Sequence, residues 1–460
     1  MYDMNDTIIA LASGLGRGSI AIIRLSGSNS VSIVNQNFKG KDLRSVEGNT
    51  IHFGWIWNKV NEIDQVLVFV FKSPFSYTGE DSVEISCHSN ALIIDEIISV
   101  LIKQGARLAK PGEFTFRAFM NGKMNLSQAE AVADIINTKS RHGIRNSLRQ
   151  LNGELNSKIT KFRNQIIDIR TLLEAVLDFS VDEEIIDLPK EKILENIKSV
   201  ETEVKRLSNS YNHAKILSGS ITITIIGKTN VGKSTLMNVL LGEERAITSH
   251  TPGTTRDIIH EDFIIDDIHF KLIDTAGFRD TPDHIERKGI AKTKAQIAVS
   301  DIVLWVIDIS EPWQPNLFDQ IKMALEEKTD KLILVANKTD LQYDESTLNI
   351  LRNIGLIYVK TSASNKSGIQ NLKRSIITKI SKESQKFSDD LIVTNIRQKK
   401  VLEGVSKYLQ NARKAIKENQ GYEFASVDLQ EALNLIGEIS GETATDDILN
   451  KIFSNYCIGK

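Results

Sequence analysis

The chain carries 57 lysines and arginines against 59 aspartates and glutamates over 460 residues, so its net charge of −2 raises no global basic field for nucleic acid. The length suits three domains, and an aromatic content of 6% argues against a stacking platform for single strands. Two distant cysteines, Cys87 and Cys457, fit a reducing cytosol; with no apolar run near the ~20 residues of a bilayer span and no secretory leader, a cytoplasmic protein without a membrane anchor is expected.

Residues 1–121 read as mixed α/β. GSIAIIRLSG, FGWIWN, QVLVFVFKSP and VEISCHSN have strand composition, and NALIIDEIISVLIKQGA spaces its apolar residues as an amphipathic helix does. Pro111-Gly112 then punctuates the chain before an expected loop over residues 114–124. From 122 to 218 the pattern turns helical, with Ile159, Phe162, Ile166, Ile169, Leu173 and Val176 stepping by threes and fours along one stripe. Strands and helices alternate over 219–383, as a parallel sheet requires, and helical periodicity returns over 384–460. The simplest plan is a helical domain interrupted by an inserted domain.

Within the insert, ITITIIGKTNVGKST over residues 221–235 is a β-branched strand, a glycine-bracketed loop and a helix start. That is the G-x-x-x-x-G-K-[ST] phosphate loop in its confirming context. Backbone N–H groups of Asn230, Val231, Gly232, Lys233, Ser234 and Thr235 would converge on phosphate oxygens. Lys233 supplies a point charge and the Ser234 hydroxyl a Mg²⁺ ligand. Downstream, Ser249, His250, Thr251, Pro252, Gly253, Thr254 and Thr255 form a switch-like loop. Thr254 or Thr255 is the switch threonine, and the metal is assigned to Thr255. Asp274, Thr275, Ala276 and Gly277 end a strand where a carboxylate can hold the Mg²⁺ water shell and the glycine can approach the γ-phosphate. Asn337-Lys338-Thr339-Asp340 follows another strand; the Asp340 carboxylate suits the two N–H groups on guanine's edge, with Ser362 and Ala363 meeting the base through backbone. Phe278 stands where many GTPases place a water-orienting glutamine. Glu286 is either its replacement or an ordinary first-turn helix glutamate. Asn230 offers an oxygen to a monovalent cation.

Taken in order, DTIIALAS, GRGSIAIIRLSG, SYTGED, RLAKPGEFTFRAFMNGKMNLSQAEAVADII, GKTNVGKSTLMN, TPGTTRD, DTAGFRD…IERKGI and LNLIGEISGETATDDILNKIFSNYCIGK identify a resemblance over the whole length. The chain resembles the tRNA modification GTPase MnmE (TrmE) family. The resemblance implies an N-terminal α/β folate-binding and dimerising domain, a discontinuous helical-bundle domain and an inserted Ras-like P-loop GTPase domain. It implies a homodimer whose G domains pair across GTP in the presence of K⁺. It also implies an FAD-dependent MnmG-type partner, joined in a heterotetramer, and a tetrahydrofolate cofactor (5-formyl or methylene). The product would be a carboxymethylaminomethyl-type group on C5 of the wobble uridine of certain tRNAs. By position, Asn230, Ser249, Thr251 and Thr254 fall on K⁺ sites, Ser234 and Thr255 on Mg²⁺ sites, and Glu286 on the water-orienting glutamate. Arg24, Glu84, Lys123 and Lys460 fall on folate positions, where cations would meet the glutamate tail or carbonyls and a carboxylate the pterin N–H edge; Cys457 falls near that site. One departure stands out, Cys87-His88-Ser89-Asn90 in place of the family's His-Gly-Gly. The alternative, a ribosome-assembly GTPase of the same switch class, predicts a dedicated RNA-binding domain that the sequence does not display. Arg141, Arg145 and Arg149, four apart, are either a phosphate contact or a solvated helix face.

Overall fold

The computed structural model describes residues 4–14, 18–138, 140–179, 190–213, 221–242, 260–266, 268–273, 300–312, 331–343, 345–353, 358–384, 391–454, 456 and 459. Backbone packing divides the chain into two compact units. One comprises Met1–Ala133, Arg149–Lys205 and Lys400–Lys460, and the other Asp134–Leu148 and Arg206–Lys399. No helix among the described residues is long and apolar enough to cross a membrane.

The first unit is built on a seven-stranded sheet: β1 (Thr7–Leu11), β2 (Ile20–Ser26), β3 (Phe38–Lys39), β4 (Thr50–Trp57), β5 (Glu62–Phe71), β6 (Ser82–His88) and β7 (Ala106–Leu108). Their order is β3-β4-β5-β6-β2-β1-β7. Every pair is antiparallel except β1 with β7. Strict alternation in β5 sets the register: Asp64, Val66, Val68 and Val70 are buried while Gln65 and Leu67 face out. The helix Ala91–Lys103 presses Ile97 and Leu101 onto the core formed by Ile23, Leu25, Val68 and Ile85.

The expected loop after Pro111-Gly112 is a helix, Glu113–Met120. Its residues 113–118 are all buried, so tertiary packing holds a turn that local composition disguises. The glycine that reads as a break begins this helix, with φ of +69°, and the Phe116 N–H donates to its carbonyl at 2.9 Å. A Cβ there would lie 2.4 Å from the Phe453 carbonyl, so the C-terminal segment also requires glycine at this point. The ring of Phe453, from the helix Asp446–Phe453, meets Phe116 edge-on at 5.4 Å. In the long helix Glu154–Phe179 the expected stripe is buried from Ile159 to Leu173, and Val176 is half-buried. This helix packs along Tyr422–Ser440, where Arg170 donates to Ser426 and Gln430.

The second unit holds a six-stranded sheet: β8 (Ile221–Ile226), β9 (His260–Ile265), β10 (Ile268–Ile273), β11 (Ile302–Asp308), β12 (Leu332–Asn337) and β13 (Tyr358–Lys360). The order is β13-β12-β11-β8-β10-β9, parallel throughout except β9 with β10. β11 and β12 are almost wholly apolar and buried, because both faces of the sheet are covered. Strand order reverses at β8, so the crevice beyond its carboxyl end is the natural ligand site of such a sheet. The helical pieces of this unit meet as well: the Asn146 amide donates to the Ile392 carbonyl and accepts from its N–H, both at 2.9 Å.

Candidate functional site

β8 delivers the chain to Gly227, whose φ of +147° is glycine territory. A Cβ there would sit 2.2 Å from the Val306 carbonyl oxygen of β11. Gly227→Ala is therefore expected to destabilise the second unit by about 3 kcal/mol in urea denaturation; a loss under about 1 kcal/mol would contradict the close approach. The loop continues through Asn230, φ +63°, and Gly232, φ +97°. It closes over its own lysine: the Lys233 ammonium donates to the carbonyls of Gly227 and Lys228 at 2.9 and 2.5 Å. Val231 is buried, whereas Ser234 and Thr235 lie exposed in the first turn of the helix Lys233–Gly242. The Ser234 hydroxyl is one hard oxygen donor at a helix start. That suits Mg²⁺, which takes one or two protein ligands and completes its shell with water and phosphate.

Asn337, at the end of β12, clasps the loop from the other side. Its amide donates to the Val231 carbonyl at 2.8 Å, and its oxygen accepts from the Ala363 N–H at 3.0 Å and the Thr361 hydroxyl at 3.2 Å. Asp340 accepts from the hydroxyls of Ser362 and Ser364 at 2.6 and 3.1 Å. The Ser362 hydrogen bond leads in holding its carboxyl below the usual range, so it stands as a pure acceptor at neutral pH. Lys338 pairs with Asp308 at 2.6 Å. Asn230, Val231, Gly232, Lys233, Ser234, Thr235, Asn337, Lys338, Asp340, Ser362 and Ala363 thus lie at or just beyond the carboxyl ends of β8, β12 and β13, Lys233, Ser234 and Thr235 in the helix start that follows β8. Sequence reasoning missed Asp308 and Ser364, since nothing local distinguishes them from ordinary turn residues. The readings placed on Ser249, His250, Thr251, Pro252, Gly253, Thr254, Thr255, Asp274, Thr275, Ala276, Gly277, Phe278 and Glu286 lie outside the described residues.

In the first unit, Arg24 and Glu84 are directly opposed across β2 and β6. Nε of the arginine meets the carboxylate at 2.7 Å, and the two side chains are only 15% and 21% exposed. Arg24 is therefore no free surface charge, and one oxygen of Glu84 is already engaged. The guanidinium lies 5.2 Å from the Tyr77 ring centroid and 5.7 Å from that of Phe114, while its buried Nη1 has no hydrogen-bond partner among the described residues. Lys123 donates to the Pro74 carbonyl at 3.0 Å, so both cations reach the segment that carries Tyr77. Gly459, φ +95°, runs so close to β1 that a Cβ would lie 2.2 Å from the Leu11 carbonyl oxygen. Leu11 neighbours Ala10, which pairs with Arg24. Cys457 and Lys460 lie outside the described residues.

The Cys87-His88-Ser89-Asn90 departure needs no glycine here, because none of these residues has a positive φ. Asn90 caps the helix Ala91–Lys103 by accepting from the Leu92 N–H at 2.9 Å. His88 pairs with Asp64 at 2.7 Å. The Cys87 thiol is pushed up to about 11, chiefly by burial, which leaves it inert. Of the three helical arginines, Arg149 is paired with Glu154 at 2.7 Å.

A buried ion network beside this site is invisible to periodicity. Arg117, fully buried, reaches Asp6 at 2.5 Å, Glu80 at 3.2 Å and the fully buried Glu113 at 3.4 Å. Arg107 bridges Asp6 and Glu113 at 2.6 and 2.7 Å. Burial alone would raise the Asp6 carboxyl, but the two arginines outweigh it and hold it low.

Two family models match the chain. That described as "GTP-binding protein TrmE N-terminus" matches residues 7–123, and that described as "MnmE helical domain" matches 126–457. A protein named tRNA modification GTPase MnmE from Thermotoga maritima is 40% identical over 467 residues, covering 99% of this chain and 100% of that one. Proteins of the same name from Thermoanaerobacter pseudethanolicus and Christiangramia forsetii are 39% and 37% identical, each spanning 99% of this chain and 99% and 100% of their own.

Proposed function

The chain belongs to the tRNA modification GTPase MnmE family, and on that premise we propose how its residues couple GTP hydrolysis to tRNA modification. It is a GTP hydrolase, with tRNA as the macromolecular substrate. One observation carries the reading: Asn337 bonds both to Val231 of the phosphate loop and to Ala363, whose neighbours Ser362 and Ser364 hold the acceptor carboxylate of Asp340.

Asp340 selects the base by accepting guanine's two N–H groups. Lys233, held against the Gly227 and Lys228 carbonyls, turns its ammonium to the outer phosphates. Ser234 and Thr255 hold Mg²⁺, which when bound offsets charge on the phosphate oxygens. Asn230, Ser249, Thr251 and Thr254 hold K⁺, which supplies the charge that an arginine finger gives in other GTPases. Glu286 orients the attacking water, a role closed to the apolar Phe278. The domain plan is 1–121, 122–218, 219–383 and 384–460; the packing of Glu154–Phe179 on Tyr422–Ser440 supports a helical domain drawn from both sides of the insert.

Arg24, Glu84, Lys123 and Lys460 hold a reduced folate beside Cys457, and the buried Nη1 of Arg24, without a partner among the described residues, supports an acceptor-rich ligand there. The chain acts as a homodimer. An apolar face on β4 and β5, where Phe53 is 64% exposed and Leu67 41%, supports self-association. With an MnmG-type FAD protein it places the carboxymethylaminomethyl-type group on C5 of the wobble uridine. The ribosome-assembly alternative needs a dedicated RNA-binding domain, whereas the family matches over 7–123 and 126–457 support the tRNA-modification reading.

The test is steady-state GTP turnover of the full chain in KCl against NaCl at equal ionic strength. Turnover on the order of tenfold or more faster in KCl is expected. Equal rates would remove K⁺ from the mechanism, and no turnover in either salt would overturn the GTPase assignment itself.

A further inference from the structure

Asp308 closes an otherwise apolar strand, β11, and its side chain is only 4% exposed. Both carboxylate oxygens are used. Oδ1 accepts from the Ser310 N–H and hydroxyl at 2.9 and 2.6 Å, and Oδ2 takes the Lys338 ammonium at 2.6 Å. In the β11–β12 register Asp308 stands opposite Asn337, the residue before this lysine. Lys338 itself has φ of +67°, a left-handed conformation that non-glycine residues seldom adopt. Its neighbours hold the turn: the Asn337 carbonyl accepts from the Ile309 N–H at 3.2 Å, and the Thr339 N–H donates to Thr361 at 3.2 Å. The lysine is therefore fixed at its backbone and at its tip. A buried carboxylate is costly in an apolar setting unless paired, and the packing of β11 has no need of one. Burial pushes the Asp308 carboxyl up, but hydrogen bonds from Lys338 and Ser310 outweigh it and hold it below its ordinary value.

We propose that Asp308 is a positioning residue for guanine-nucleotide binding: it pins the Lys338 side chain beside the turn that carries Asp340 before nucleotide arrives. A free lysine side chain would lose its rotamer freedom on binding, and a pre-fixed one has lost it already. The inference rests on the GTP reading above and names a residue outside the sequence motif.

The test follows release of a fluorescent GDP analogue from the full chain, together with kcat and KM for GTP. Asp308→Asn keeps an acceptor for Ser310 but replaces the anion at Oδ2. About tenfold faster release and a similar rise in KM are expected, with kcat changed by less than about twofold. Lys338→Met should also speed release, and adding Asp308→Asn to it should change release by less than about twofold further. Release from Asp308→Asn within about twofold of wild type overturns the proposal, as does an equal effect of Asp308→Asn in the Lys338→Met background. If Asp308→Asn fails to fold, Ser310→Ala removes one hydrogen bond and keeps the ion pair; about threefold faster release is then expected, and unchanged release overturns the proposal. A wild-type chain that held no guanine nucleotide would overturn the GTP reading and this one together. Intact wild-type binding with an unaltered variant overturns this one alone.

Discussion

Asp340→Asn is expected to exchange the preferred nucleotide from GTP to XTP, with kcat/KM for GTP falling on the order of 10⁴-fold. The carboxylate offers acceptors only, and guanine presents two donors, N1–H and the 2-amino group. An asparagine retains one acceptor but turns an NH₂ toward that amino group, leaving two donors face to face. Xanthine carries a carbonyl oxygen at the same position and accepts from the new amide. The supporting hydroxyls of Ser362 and Ser364 can each donate or accept by rotation, so the site tolerates the change without repacking. Turnover of GTP and XTP by the full chain decides the matter. A variant that kept its preference for GTP would remove Asp340 from base recognition.

Arg117→Leu is expected to destabilise the first unit by about 3–5 kcal/mol, because it strips a fully buried cation from three carboxylates. Glu113 is fully buried, so its charge cannot be returned to water when the arginine is removed. Arg107 still reaches Asp6 and Glu113, which places the effect toward the lower end of that range. The observable is faster amide exchange in β1 and β7, since Asp6 precedes one strand and Arg107 lies in the other. Protection unchanged from wild type would show that the network adds nothing. The network also has a pH sign. Asp6 is held below its ordinary value of 3.8, so its contribution is present above that pH and is lost as acid protonates it in the folded state.

The phosphate loop was legible in the sequence because its chemistry is carried by contiguous residues. A strand, two glycines, Lys233 and Ser234 specify a turn and a helix start without help from the rest of the chain. The stripe from Ile159 to Leu173 was legible for a similar reason, since helical period places those residues on one face and that face is buried. The helix Glu113–Met120 was not. Its Pro-Gly entry looks like a break, and it is burial of both faces, not propensity, that holds it.

What only tertiary structure decided are the pairings between residues far apart in the chain. Arg24 and Glu84 are 60 residues apart, and Arg107 and Asp6 are 101 apart. Each reads locally as a solvated charge; the β2–β6 register sets Arg24 opposite Glu84 and takes most of their water, while the β1–β7 pairing brings Arg107 to Asp6, just before β1, and leaves that pair partly exposed. The bond from Asn337 to Val231, 106 residues back, and the pair of Asp308 with Lys338 arise in the same way, where parallel strands bring loop ends together. The sequence by itself determined local backbone geometry, hydrophobic period and the identity of the nucleotide motifs. The fold alone decided which charges are buried and which partners neutralise them, because desolvation and Coulomb energy depend on distance in space and not along the chain.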